Sequence, residues 1–183
     1  MGSSVSALDP RFAARIRAGI RDIPDFPSPG ILFRDITPLL ADGALFRDVT
    51  AAMAAPFAGA GVTHVVGIES RGFVLAAPVA QSLGAGFIPI RKQGKLPWKT
   101  VGREYGLEYG SGELEIHADA CPGDCRVLIV DDVLATGGTA AASAELVRSV
   151  GGTVVGYSFL IALGALGGEP RLGNARTNVL LRF

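Results

Sequence analysis

Apolar residues from about position 45 onward fall into two kinds of segment that alternate along the chain. One kind is a short continuous apolar run, typical of a strand buried on both faces, and the other has the spacing of a helix. This alternation predicts an α/β domain with a largely parallel sheet. The predicted strands are Val62–Ile68, Gly86–Ile90, Arg126–Val130 and Thr153–Leu163, and the predicted helices are Leu45–Ala60, a segment ending at Leu83, and Ala140–Val150.

The first 35 residues follow a different pattern. Apolar residues recur at helical spacing from about Asp9 to Ile23, which predicts a short amphipathic helix ended by Pro24. Prolines at positions 24, 27 and 29 then exclude a continuous helix and favour a stiff, extended segment that leads to Phe33.

Two later segments alternate as strands do. Residues Glu104 to Ile116 predict a hairpin, with Gly110 and Gly112 marking its turn. Residues Asn178 to Phe183 predict a final strand.

Composition narrows the possible classes of protein. The chain has 183 residues, 49% of them hydrophobic, which is enough for one domain with an ordinary core. Basic and acidic residues number 17 each, so no general field for nucleic acid or a membrane surface is expected. We also expect no membrane span and no signal segment, because the apolar runs are too short. A cytoplasmic enzyme or binding domain fits these features.

The cysteines and histidines do not predict a zinc site. Cys121 and Cys125 lie four residues apart, and neither His64 nor His117 completes a zinc-like spacing with them. We interpret the cysteines as ordinary thiols near a turn.

The segment VLIVDDVLATGGT, residues 127–139, carries the strongest chemical signal. Two acids follow a buried strand, and a loop of small residues and hydroxyls leads into a helix, whose first N–H groups suit a phosphate. Carboxylates would repel a bare anion, so sugar hydroxyls or a cation are their expected partners. The pattern therefore predicts a ribose 5-phosphate site. The alternative is an acidic turn capped by a threonine; neither a Walker loop nor a dinucleotide fingerprint is present.

VLIVDDVLATGGT resembles the signature of the type I phosphoribosyltransferases, which use phosphoribosyl pyrophosphate. FPSPGILFRDITPLL, GIESRGFVLAAPVA, RKQGKLPWKT and EYGLEYGSGELEIH resemble the branch of that family that acts on adenine. The resemblance runs in the same order from about Phe26 to Leu163. It implies the type I fold: one domain over residues 1–183, with an N-terminal helix and base-binding hood over about 1–35, a mostly parallel sheet flanked by helices, and a flexible lid over about 95–110.

The resemblance also implies a reaction and a set of phosphate contacts. Adenine N9 would attack the anomeric carbon of phosphoribosyl pyrophosphate, giving AMP and pyrophosphate through a transition state of separated charge. Arg71 would act catalytically on the leaving-group side; a surface salt bridge is the alternative. The implied phosphoribosyl contacts are Asp131, Asp132, Ala135, Thr136, Gly137, Gly138 and Thr139, and the implied pyrophosphate contacts are Glu69, Ser70, Arg71, Gly72, Arg91, Lys92 and Lys95. For Lys99 and Arg103 we prefer a merely solvated basic loop.

The base site is implied by the hood and the lid. Phe33 would stack on adenine while the backbone at Leu32 and Arg34 reads its edge; packing of Phe33 in the core is the alternative. Glu108 would assist proton movement, and Tyr109 would help to close the site. A static exposed hairpin is the alternative to a lid.

Magnesium is expected to arrive with phosphoribosyl pyrophosphate, and no side chain is assigned as its ligand. The family resemblance implies a homodimer in which some basic residues reach across the interface. Two rival functions stay open: transfer to another base such as guanine, xanthine or orotate, and a regulator that senses phosphoribosyl pyrophosphate without turnover. The balanced charge disfavours a nucleic-acid-binding regulator.

Overall fold

The computed structural model describes residues 8–107 and 110–183 of the chain. Its helices are α1 (Pro10–Ala18), α2 (Thr37–Ala41), α3 (Gly43–Ala54), α4 (Arg71–Leu83) and α5 (Gly138–Ser149), with 3-10 turns at Ala55–Phe57, Gly164–Leu166 and Glu169–Leu172. Its strands are β1 (Arg21–Ile23), β2 (Phe33–Asp35), β3 (His64–Ile68), β4 (Gly86–Lys92), β5 (Thr100–Leu107), β6 (Gly110–His117), β7 (Arg126–Leu134), β8 (Thr153–Ala162) and β9 (Arg176–Arg182).

The main sheet has the strand order β5-β6-β4-β3-β7-β8-β9 over the described residues. Strands β4, β3, β7, β8 and β9 run parallel, whereas β6 pairs antiparallel with both β4 and β5. The carboxyl ends of the parallel strands therefore meet at one edge, where open sheets of this kind bind their ligands. The predicted α/β fold with a mostly parallel sheet is confirmed.

Helices cover both faces of the sheet, and strand β7 contributes apolar side chains to the core on each face. Val127 and Ile129 belong to the core formed with α5, whereas Leu128 and Val130 belong to the core formed with α3 and α4. Successive side chains of a strand point to opposite faces, so a continuous apolar run supplies two cores at once. This arrangement fixes the position of the residues that end β7.

Strands β1 and β2 form a separate two-stranded antiparallel sheet, in which Ile23 pairs with Phe33 and Arg21 with Asp35. We call residues 21–35 the hood. Its strands make no ladder with the main sheet among the described residues. Side chains must therefore hold the hood above the sheet.

The predicted helix from Asp9 to Ile23 is correct only in its first half. Helix α1 ends at Ala18, and Gly19 packs against α3: a Cβ at Gly19 would lie 3.0 Å from a methyl group of Leu45. Residues 21–23 then gain ladder hydrogen bonds from β2, which helical spacing alone does not reveal.

Other boundaries shift for local reasons. Helix α3 begins before the predicted Leu45 because the Asp42 carboxylate accepts hydrogen bonds from the first N–H groups, and it gives way to a 3-10 turn at Pro56. Strand β7 runs beyond Val130 to Leu134 because β8 continues to pair with it. Helix α2 was not predicted.

The predicted hairpin is present: Gly110 directly follows the connection and pairs with Leu107, whereas Gly112 lies further along β6. Gly110 and Gly112 lie within β6, where Gly112 pairs with Tyr105 of β5. Arg103 of β5 contacts Glu145 of α5 at 3.1 Å, and both side chains are about half exposed, so this ion pair contributes little. Whether the hairpin moves as a lid stays a prediction.

Among the described residues, every helix is too short or too polar to cross a membrane.

Candidate active site

A cavity of about 610 Å³ lies between the hood and the carboxyl ends of the parallel strands. It is large enough for a small ligand of nucleotide size. Predicted site residues from four separate stretches of sequence meet in its wall: Leu32, Phe33, Arg34, Glu69, Ser70, Arg71, Lys92, Asp131, Asp132, Ala135 and Thr139.

Asp132 is the most buried charged residue of the cavity, and its neighbour Asp131 is partly buried. Asp132 is 4% exposed, and its Oδ2 lies 2.7 Å from Nε of Arg71. Burial raises the pKa of Asp131 well above its ordinary value, and the neighbouring charge of Asp132 raises it further. Burial also raises the pKa of Asp132, although the Arg71 guanidinium opposes that effect. Burial thus disfavours the ionised form of both carboxyl groups in the absence of a ligand.

The loop after β7 packs against the turn at residue 168. Gly137 has φ +80°, and a Cβ there would lie 2.4 Å from the carbonyl oxygen of Gly168. Only glycine meets both requirements. Ala135, Thr136, Gly137 and Thr139 line a small cavity of about 50 Å³ next to the main one, and Gly138 begins α5.

Two helices, α4 and α5, point their N-termini toward this edge. Neither helix start receives a side-chain hydrogen bond from its N-cap residue, Ser70 or Gly137, within the described part of the chain. Such N–H groups bind phosphate oxygens readily. Gly72 lets α4 begin close to the acid pair, since a Cβ at Gly72 would lie 2.7 Å from Oδ1 of Asp131.

The carboxylate of Glu69 contacts three residues that are predicted to bind pyrophosphate. It accepts hydrogen bonds from Nζ of Lys95 at 2.7 Å, from the backbone N–H of Lys92 at 3.1 Å and from Nε of Arg91 at 3.2 Å. Burial opposes ionisation of Glu69, but the hydrogen bonds outweigh it, so the pKa of Glu69 lies below its ordinary value. Glu69 therefore contacts the cations, while a direct contact with pyrophosphate stays a prediction that like charge disfavours.

Phe33 forms the hood side of the cavity. The edge of the Phe26 ring packs on it with 5.1 Å between centroids, and the Arg71 guanidinium lies 4.8 Å from its ring centroid. Arg71 thus touches both the predicted base site and the acid pair. The alternative of Phe33 as a core residue is not what the structure shows, because the ring lines the cavity and is only partly buried.

Five further residues line the cavity and were not predicted: Ile31, Ile68, Tyr105, Val133 and Leu163. Four are apolar and carry no signal that separates them from core residues. Tyr105 lines the cavity and packs closely on the neighbouring strand, since a Cβ at Gly112 would lie 2.9 Å from the Tyr105 ring. Burial and the charge of Asp131 raise the pKa of Tyr105 above its ordinary value.

Glu108 and Tyr109, the predicted proton-transfer and closing residues, lie outside the described residues. The strands that flank them end at Leu107 and Gly110. Their roles, like the individual contacts of the other predicted residues, stay predictions.

Known proteins with similar sequences point to one family. Residues 37–173 match the sequence profile of the phosphoribosyl transferase domain family. The chain is 56% identical over 178 residues to the adenine phosphoribosyltransferase of Myxococcus xanthus, covering 97% of each chain.

Solved structures agree with this result. The chain resembles the adenine phosphoribosyltransferase of Rhodothermus marinus with a TM-score of 0.91 and 47% identity, covering 96% of this chain and 100% of that one. It also resembles the Saccharomyces cerevisiae enzyme, solved in complex with an imino-altritol bisphosphate and adenine, with a TM-score of 0.88 and 39% identity, covering 93% of this chain and 99% of that one.

Proposed function

The chain belongs to the adenine phosphoribosyltransferase family, and we propose that it transfers the 5-phosphoribosyl group of phosphoribosyl pyrophosphate to N9 of adenine, giving AMP and pyrophosphate in purine salvage. One observation carries this proposal: a single cavity joins the aromatic hood residue Phe33 to the Asp131–Asp132 pair and the loop that follows it. That cavity suits a base at one end and a ribose phosphate at the other.

When phosphoribosyl pyrophosphate binds, Asp131 and Asp132 gain hydrogen bonds from the ribose, and Asp132 loses its contact with Arg71. The ribose hydroxyls donate hydrogen bonds to Asp131 and Asp132, which favours their ionised forms despite burial. Arg71, now 2.7 Å from Asp132, turns its guanidinium to the phosphate oxygens, which it can bind bidentately. The loop from Ala135 to Thr139 and the N-terminus of α5 take the 5-phosphate.

Departure of pyrophosphate is assisted by positive charge on the other side of the ribose. As the bond between the anomeric carbon and the pyrophosphate oxygen breaks, negative charge grows on the leaving group. Arg71, Lys92 and the N-terminus of α4 would stabilise it, together with Arg91 and Lys95, the two cations that contact Glu69. Preorganised charge of this kind costs little reorganisation during the reaction.

Magnesium would enter bound to the substrate, and it would supply charge neutralisation on the pyrophosphate. The chemistry of the residues present fits this arrangement, because Asp131 and Asp132 offer hard oxygen ligands beside the ribose site. Within residues 8–107 and 110–183 no cluster of three or more His, Cys, Asp or Glu side chains could hold a metal alone. An ion that keeps water and substrate oxygens as its ligands is compatible with such a site.

The base stacks on Phe33, and backbone groups at Leu32 and Arg34 read its edge. Stacking contributes about 1–3 kcal/mol and discriminates poorly between bases, so the backbone hydrogen bonds select adenine. Since the Arg71 guanidinium covers part of Phe33, its movement toward the phosphates also clears that part of the ring.

Formation of the N9–C1′ bond releases one proton from adenine, and we assign its acceptance to Glu108. A carboxylate acting as a general base contributes typically 10²–10⁴-fold to the rate. Tyr109 and the hairpin of β5 and β6 would close over the site and exclude water from the ribosyl cation.

We propose a homodimer formed through the outer face of α4 and β4. Val74 is 43% exposed and Phe87 39% exposed, and with Phe46, Ala77 and Gln81 they line an open apolar groove. Strand β4 carries Phe87 near its start and Arg91 near its end, so a partner on this face would also approach the phosphate cations. Sedimentation should give twice the chain mass, and Phe87→Glu should give the monomer.

We also propose that the protein is cytoplasmic. Cys121 and Cys125 are both free thiols, as is usual in a reducing compartment.

The decisive test measures product formation from phosphoribosyl pyrophosphate, magnesium and each of adenine, hypoxanthine, guanine and orotate. Turnover with adenine alone would support the proposal. Turnover with another base would refute the role given to the hood, and tight binding of phosphoribosyl pyrophosphate without turnover would favour a regulator.

A further inference from the structure

The aromatic ring of Phe183 is held between two guanidinium groups. The Arg17 guanidinium lies 4.4 Å from the ring centroid and that of Arg34 lies 4.2 Å from it. Arg17 belongs to α1 and Arg34 to β2 of the hood, whereas Phe183 directly follows β9 of the main sheet. One ring thus joins three elements that are far apart in sequence.

The backbone of Phe183 is anchored to the main sheet. Its N–H donates to the carbonyl oxygen of Ala162 at 3.0 Å, and its carbonyl oxygen accepts from the N–H of Gly164 at 2.9 Å. These two residues flank Leu163, which lines the large cavity. The ring therefore projects from a fixed point beside the cavity.

Arg34 connects this fixed point to the hood. Its side chain is only 17% exposed, forms an ion pair with Asp22 of β1 and covers the Phe183 ring. Neighbouring side chains of a strand point to opposite faces, so holding Arg34 on Phe183 directs Phe33 to the other side. That is the side on which Arg71 covers the Phe33 ring.

The two strands of the hood form a ladder only with each other in the described chain. The height of the hood above the carboxyl ends of β3 and β7 must come from side-chain contacts. Among these, the contact between Arg34 and Phe183 acts on the strand that carries the predicted base-reading residues.

We propose that Phe183 is a positioning residue for base binding, which sets the distance between the hood and the phosphoribosyl site through its contacts with Arg34 and Arg17. The inference rests on the proposed adenine transfer. It assigns to a residue outside the cavity an effect on the base and not on phosphoribosyl pyrophosphate.

The test is steady-state kinetics of Phe183→Leu, which keeps an apolar side chain but removes the ring. From typical cation–π contributions we expect KM for adenine to rise about 3- to 30-fold, with KM for phosphoribosyl pyrophosphate and kcat each changed less than about twofold. Phe183→Tyr keeps the ring and should restore the KM for adenine.

Two other variants separate positioning from stability. Arg17→Met removes one cation at an exposed position. Exposed cation–π contacts are weaker than buried ones, so KM for adenine should rise only about 2- to 5-fold. Arg176→Met removes a similar contact with Phe57, whose ring centroid lies 5.4 Å away, and should leave both KM values unchanged. Thermal melting of each variant measures any loss of folding.

Equal increases in both KM values, or an unchanged KM for adenine in a folded Phe183→Leu protein, would overturn the inference alone. If Phe183→Leu does not fold, an unchanged KM for adenine in Arg17→Met would overturn it instead. Absence of adenine turnover in the wild-type protein would overturn the proposed function, and the inference with it.

Discussion

Gly137→Ala should disable the phosphate loop, and its effect can be divided into two physical parts. Alanine at φ +80° costs about 1–2 kcal/mol of backbone strain. In addition, its Cβ would lie 2.4 Å from the Gly168 carbonyl oxygen, about 1 Å closer than the 3.4 Å of an ordinary contact. A displacement of 1 Å in a reacting site can lower the rate about 100-fold. We therefore expect kcat/KM for phosphoribosyl pyrophosphate to fall about 10- to 100-fold.

Two matched variants separate the backbone strain from the steric clash. Gly151→Ala has φ +89° but no described atom within 4 Å of its Cβ, so it introduces strain without a clash. Gly168→Ala has an ordinary φ of −75° but places its Cβ 2.2 Å from the Ala135 carbonyl oxygen, so it introduces a clash without strain.

The assay combines thermal melting, calorimetric binding of phosphoribosyl pyrophosphate with magnesium, and the rate of AMP formation. A loss of about 1–2 kcal/mol in a chain of this size lowers Tm by about 2–8 °C. Gly151→Ala should show only that loss, whereas Gly168→Ala and Gly137→Ala should also lose substrate affinity. Wild-type affinity in Gly137→Ala would refute the idea that close packing on Gly168 shapes the loop.

Three further outcomes are expected. Glu108→Gln should lower kcat by about 10²–10⁴-fold with little change in calorimetric affinity for phosphoribosyl pyrophosphate, whereas Asp132→Asn should weaken that affinity; equal losses of affinity would contradict the division of roles. Phe33→Leu should raise KM for adenine about 5- to 150-fold, because stacking contributes about 1–3 kcal/mol; an unchanged KM would exclude stacking. Asp131→Asn should raise the free energy of unfolding at neutral pH in chemical denaturation. The folded-state pKa of Asp131 lies above its ordinary value of 3.8, so the benefit should grow as pH rises through that raised pKa and vanish below 3.8.

Much of the fold could be predicted from the sequence because its signals are local. The apolar run that ends at Val130 predicts a doubly buried strand, and the small residues after it predict a loop at the carboxyl edge of the sheet. Strand β1 could not be predicted, because its three residues gain their conformation from pairing with β2 at residues 33–35. Pairing between distant segments leaves no periodic pattern in either one.

In the candidate site, the identity of the charged residues could be predicted from the sequence, but their contacts could not. Charged residues such as Arg71 and Asp132 stand out in sequence because their chemistry is unusual at a strand end. Their mutual contact at 2.7 Å does not, because it depends on how α4 is placed against β7. Tyr105 was missed for the same reason: its place in the cavity wall depends on how β5 pairs with β6, where it lies opposite Gly112.

The contacts of Glu69 have a consequence for product release. If pyrophosphate binds as proposed, it would have to give up contacts with Lys95, Arg91 and the N–H of Lys92 when it leaves, and unpaired cations would hold it back. The Glu69 carboxylate already lies within 2.7–3.2 Å of all three donors, so it can recapture them as the product departs. An internal anion would thereby compete with the product for the same donors, so we expect weak inhibition by pyrophosphate and a return of these contacts before the next cycle.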